Sequence, residues 1–182
     1  TGVEVAIVPE EHSILGVKAK VKCIAEIVNK KIEAERLFEE KLDPAINKLE
    51  IASQKVLEKN TKAIFILGLQ SGSPLIGGMD TSANGLIEMI GAKNVLSSFE
   101  GWKPVSTESI LMAEPDVILI SNRGLSAFGD VESLRQHPAL ALTPAAKNNN
   151  IIAMDGMAML GFGPRTIFSA LNIANDILDI ND

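Results

Sequence analysis

Three short apolar runs constrain this chain more than any other feature: KAIFIL (Lys62 to Leu67), VILI (Val117 to Ile120) and IIAM (Ile151 to Met154). A strand that alternates apolar and polar residues can leave one face in water, but these runs offer no polar face and need cover on both. Each is followed by a turn rich in glycine, serine or aspartate, and then by a helical pattern. That arrangement predicts an α/β fold, a doubly wound, mainly parallel-sheet lobe with helices on both faces.

The connections are readable in the same terms. After the first strand, Gly68 to Gly78 reads as a loop containing Ser73-Pro74 and Gly77-Gly78, and Thr81 or Ser82 caps a helix running to about Ile90. A short helix, Thr107 to Ala113, leads into the second strand, which leaves through Ser121-Asn122-Arg123-Gly124. The third strand passes Asp155-Gly156 and turns at Gly161 and Gly163 into a closing helix, Arg165 to Leu178, with Pro164 suited to its first turn.

Ahead of the lobe, Val3 to Val8 (VEVAIV) reads as a strand with nothing to pair with. No charged and apolar leader precedes it, and the expectation is a chain whose beginning has been removed. From Ser13 to about Asn29, Ile14, Val17, Val21 and Ile24 recur at helical spacing, and a longer helix follows from Ile32 to Lys59. Asp43-Pro44 either kinks that helix or restarts it with Asp43 as cap. The expected division is a remnant strand region at 1–12, helices at 13–60 and the α/β lobe at 61–182.

Composition narrows the function classes. Of 182 residues 46% are hydrophobic and 22% charged, as in soluble globular proteins, and no apolar run approaches the ~20 residues of a membrane helix. A net charge of −6 offers no basic stripe for nucleic acid. The lone cysteine, Cys23, excludes an internal disulfide and reads as a small buried hydrophobe; His12 and His137 read as structural residues near helix ends. The sequence contains no P-loop, no GxGxxG after a strand and no acid-base pair in the loops, and its histidines and carboxylates do not cluster as transition-metal ligands do.

In a parallel sheet, ligands gather beyond the carboxyl ends of the strands. The loops expected there, Gly68 to Met79, Ser121 to Ser126 and Asp155 to Arg165, carry Leu75, Ile76, Met79, Met157, Met159 and Phe162, with Arg123 and Arg165 as charged groups. Soft apolar walls with two forked cations suit a large apolar ligand bearing carboxylates. The alternative is a core strand, a glycine turn and a helix start, with Arg165 solvated or paired structurally.

The segments SPLIGGMDTSANGLIEMIGAKNV, FEGWKPVSTESILMAEPDVILI, HPALALTPAAKNN and MDGMAMLGFGPRT resemble the C-terminal half of the haem-binding substrate-binding proteins of bacterial ABC importers. Cobalamin and ferric-siderophore carriers are wider relatives of that class. The resemblance implies two α/β lobes joined by a long helix, with haem carried in the cleft as transported ligand, and no catalytic residue or resident metal. It implies delivery in the periplasm to a permease and its ATPase in the inner membrane, with Glu108 docking onto permease arginines. The N-terminal lobe, from which many members take an axial tyrosine, has no counterpart here, and the chain has no tyrosine. Met79 is then at most a soft contact. A truncated chain would expose Leu75 to Met79 and Met157 to Phe162 and self-associate through them. The remaining alternatives are a cobalamin or siderophore carrier and, outside the class, an α/β enzyme fragment.

Overall fold

The computed structural model describes residues 5–180. Helices α1 (Ile14–Ile27), α2 (Lys31–Leu37) and α3 (Asp43–Glu58) come first. The lobe follows as β1 (Lys62–Gln70), β2 (Ser73–Gly77), α4 (Ser82–Met89), β3 (Lys93–Asn94), β4 (Trp102–Pro104) and α5 (Thr107–Ala113). It continues as β5 (Val117–Ser121), α6 (Asn122–Leu125), α7 (Val131–Arg135), α8 (Pro144–Lys147), β6 (Ile151–Met154), α9 (Gly156–Leu160) and α10 (Pro164–Ile180).

Of the strand expected ahead of the helices, Val3 and Glu4 lie outside the described residues. Val5 to Val8 is not a strand, since no neighbour offers it a ladder; Val5 and Ile7 are exposed. Helix α1 starts where expected, with the Ser13 hydroxyl accepting from the Gly16 N–H. Cys23 is only partly buried rather than a core residue, and its thiol donates to the Ile7 carbonyl at 3.9 Å.

The long second helix runs without a break in sequence but changes pitch. A five-residue π turn, Phe38–Leu42, joins α2 to α3 immediately before Asp43-Pro44. Proline removes the N–H that would bond four residues back and crowds that carbonyl, and a locally wider turn lets the helix pass it. Asp43 caps nothing, and its carboxylate instead takes a 2.8 Å hydrogen bond from Lys18 on α1.

The sheet order is β4-β2-β1-β5-β6, with β3 also paired to β1. Strands β3, β5 and β6 run parallel to their neighbours, whereas β2 and β4 add an antiparallel flank. Alternate residues of the central strands feed two cores. Ala63, Phe65, Val117 and Leu119 face α3, α4 and α10, while Ile64, Ile66, Ile118 and Ile120 face Ile110, Leu134, Leu140 and Ala145. The uninterrupted apolarity of KAIFIL and VILI is thereby explained.

Helix α3 belongs to the first core, with Ile46, Leu49 and Val56, and Leu42 of the π turn before it, buried in one cluster with Ile173, Ala174 and Ile177 of α10. Strand β6 is an edge, flanked by Asp176 and Asp179 of α10. Burial and the neighbouring Asp179 push the Asp176 carboxyl up. Edge-to-edge pairing of two copies here would bring like charges together, which opposes it.

These placements separate two methyl-rich side chains of similar size. Leu49→Ala should cost about 2–5 kcal/mol in denaturant unfolding, because Leu49 is fully buried between helices. Met112→Ala, at a side chain 85% exposed on α5, should change stability by less than about 0.5 kcal/mol.

Candidate functional site

The carboxyl edge of the sheet is assembled around close approaches at two glycines, Gly124 and Gly156. Strand β1 pairs with β5 through Ile66 and then bends, because Leu67 has no partner in the register between Ile66↔Ile76 and Gly68↔Leu75. The bulge turns the Leu67 carbonyl onto α6, where a Cβ on Gly124 would sit 2.5 Å from that oxygen. Ser121 ends β5, is buried, and accepts the Gly124 N–H at 2.9 Å, so the short helix α6 starts tightly and leaves Arg123 exposed. A Cβ on Gly156 would meet the Ser121 side chain at 3.0 Å, which seats the start of α9 directly over β5.

The Gly68 to Met79 segment is not a loop but the arm of a hairpin. Strand β1 runs on to Gln70, turns at Ser71 (φ 51) and Gly72 (φ 81), and returns as β2. Positive φ at both central residues is the tight turn whose twist matches a hairpin. The sequence held the signal, a Ser-Gly pair between LGLQ and SPLIG. This return carries Met79 back past Ile76, which is opposite Ile66, toward the amino ends of the parallel strands. Met79 therefore does not join the arginines, and its N–H bonds the Phe99 carbonyl at 2.7 Å. Leu67, Leu69 and Gln70 take its place on the carboxyl edge, residues that the reading of 68–78 as loop passed over.

The expected apolar wall is thinner than its sequence. Ile76, Met159 and Phe162 are fully buried, as core residues rather than exposed ones. On α9, with Asp155 as cap accepting from Ala158, Met157 points out (71% exposed) while Met159 points in. Leu75 is half-buried. An exposed patch running through Leu75 to Met79 and Met157 to Phe162 is thus interrupted by three core side chains.

The arginines remain. Arg123 lies in α6 and Arg165 in the first turn of α10, directly after Pro164, and both are exposed. Neither forms an ion pair among the described residues. Two exposed guanidinium groups on the elements that follow β5 and β6 can grip carboxylates while a flat apolar body lies along the edge. Glu108, exposed in the first turn of α5, starts at the same edge, because β4 runs parallel to β1 and ends opposite Leu75. The histidines are packed: His12 lies 4.9 Å from the Phe162 ring and His137 meets Phe128 edge-on at 5.3 Å.

Known proteins share this architecture. Residues 1–158 match the profile described as periplasmic binding protein. The periplasmic heme-binding protein BhuT, solved with two hemes, is 27% identical over 100% of this chain and 68% of its own, with a TM-score of 0.85. The periplasmic heme-binding protein HutB of Vibrio cholerae is 32% identical over 97% of this chain and 68% of its own, with a TM-score of 0.83. The uncharacterized ABC transporter substrate-binding lipoprotein YvrC of Bacillus subtilis (strain 168) is 22% identical over 97% of this chain and 54% of that protein. The chain spans about half the length of that curated relative.

The hairpin turn gives a clean test of how this edge is held. No atom lies within 4 Å of a Cβ built on Gly72, so only its φ of 81 resists a side chain. Gly72→Ala should cost about 1 kcal/mol in unfolding, and Gly72→Asn less, because asparagine tolerates this conformation.

Proposed function

Because this chain belongs to the periplasmic binding protein family, we propose that it binds haem for an ABC importer, in the periplasm, with no catalytic step of its own. Residues 61–182 offer one wall of a ligand cleft, and residues 13–60 include the connecting helix. The observation that carries the ligand class is the pair of unpaired arginines, Arg123 and Arg165, on an edge with exposed Met157 and partly exposed Leu67 and Leu69. Haem is a flat apolar ring with two carboxylates, and each half of that edge matches one half of its chemistry. The heme-binding descriptions of BhuT and HutB support the same ligand. In this reading haem is cargo, and its carboxylates are held by guanidinium forks while methionine and leucine cover part of the ring.

The permease reading rests on Glu108. An exposed carboxylate in the first turn of α5 favours the helix dipole, and at the sheet's carboxyl edge it also meets any basic surface that approaches the cleft. The substrate-binding description of YvrC supports such a partner.

Two measurements test this. In the full-length protein, alanine at Arg123 or Arg165 should weaken haem binding by about 1.5–3 kcal/mol for at least one of them; affinities unchanged in both would overturn the carboxylate grip. Glu108→Arg should abolish transport in reconstituted vesicles and leave haem affinity unchanged. Full transport after the reversal would leave Glu108 with the helix dipole alone.

A further inference from the structure

The turn that presents Arg165 is fastened from outside the lobe. Lys20, on α1, has a side chain only 13% exposed, and its ammonium donates to the Gly161 carbonyl at 3.3 Å and to the Glu10 carboxylate at 3.1 Å. The aliphatic stem of Lys20 is packed while its ammonium bridges an exposed carboxylate and the Gly161 carbonyl, so the side chain ties α1 to that turn. One residue on, Phe162 has φ 44, a left-handed conformation that a bulky residue keeps only where the surroundings impose it. The surroundings here are the core, in which Phe162 is fully buried, and the His12 ring 4.9 Å away. His12 is itself held, since a Cβ on Gly85 of α4 would lie 2.4 Å from its carbonyl oxygen. Pro164 completes the contact by lining a groove with Val21 and Ile24 of α1.

We infer that Lys20 and His12 are positioning residues for Arg165: the segment Glu10 to Val21 fixes the Gly161–Pro164 turn and so aims the guanidinium at the ligand's carboxylate. This rests on the reading of Arg165 as a carboxylate grip and extends it to residues that touch no ligand. The Lys20 contact fixes the carbonyl that ends α9, the His12 ring keeps Phe162 seated, and Arg165 follows three residues later on the first turn of α10. Loosening either contact leaves the arginine present but no longer aimed, and hydrogen-bonded ion pairs depend strongly on direction.

The test uses two probes on the full-length protein, haem and haem dimethyl ester, which share the ring and differ in carboxylate charge. The readout is the ratio of their affinities, with thermal stability measured alongside. Arg165→Ala should lower the preference for the free acid, and Lys20→Met should lower it by about tenfold, the scale of one lost charge-assisted bond. Lys20→Arg should restore it, because the guanidinium can reach the same acceptors. Should Lys20→Met fail to fold, Glu10→Gln loosens Lys20 from the exposed side and should lower the preference in the same direction. A preference that falls in Arg165→Ala but stays at the wild-type ratio in the Lys20 and Glu10 variants overturns the positioning role. So does an equal loss of affinity for both probes, which reports structure alone. A ratio unmoved by Arg165→Ala overturns the carboxylate grip itself, and the inference with it.

Discussion

The carboxyl edge depends on one backbone approach that leaves no room for a side chain, that of Gly124 to the Leu67 carbonyl. Gly124 lies under the Leu67 carbonyl and Gly156 lies against Ser121, so the ends of β1, β5 and β6 are drawn into one rim. A methyl group at Gly124 would sit 2.5 Å from an oxygen, and either α6 or the β1 bulge would have to move. Arg123 is adjacent to one of these glycines and Met157 to the other. The chemistry offered to a ligand is therefore set by backbone fit, not by the side chains that a list of apolar and basic residues would single out.

The same logic accounts for what the sequence discloses and what it hides. Burial on two faces is written directly into KAIFIL and VILI, because no polar residue interrupts them, and the parallel core follows. The helix starts at Ser13, Thr81 and Pro164 are equally legible, since capping chemistry is local. The hairpin was masked by glycines and a proline that read as loop, though Ser71-Gly72 marks a two-residue turn. Pairing direction is a tertiary fact, and with it went the position of Met79. The π turn at Phe38–Leu42 was legible only as a disturbance near Asp43-Pro44, since how a helix passes a proline depends on what it packs against.

The candidate site was legible in its charges and less so in its apolar part. Arg123 and Arg165 are exposed, and neither forms an ion pair among the described residues. Ile76, Met159 and Phe162 are hidden for a reason that their residue types cannot express. On a short element, neighbouring positions diverge: Met157 faces out and Met159 faces in, and Phe162 is buried while Arg165, on the next turn, is exposed. Buried side chains of this kind serve as roots for the exposed ones, holding the backbone so that few groups, accurately aimed, can act.

That division limits what this edge contributes to binding. With Ile76, Met159 and Phe162 committed to the core, the side chains that the proposed edge would leave to a flat ring are Met157, Leu67, Leu69 and part of Leu75. Direction then matters more than area: a guanidinium fork held at the correct angle gives both affinity and discrimination, whereas a mobile one gives up part of each in ordering itself. Lys20, bonded to the Gly161 carbonyl, and Phe162, at φ 44, lie at the turn just ahead of Arg165, where the proposed grip would be ordered before a ligand arrives. A planar ligand has two faces, and an edge that covers one leaves the other to whatever surface closes over it. Under the proposed reading, pre-setting the arginine is the contribution that this wall would make alone, and the packing beneath the Gly161–Pro164 turn is consistent with it.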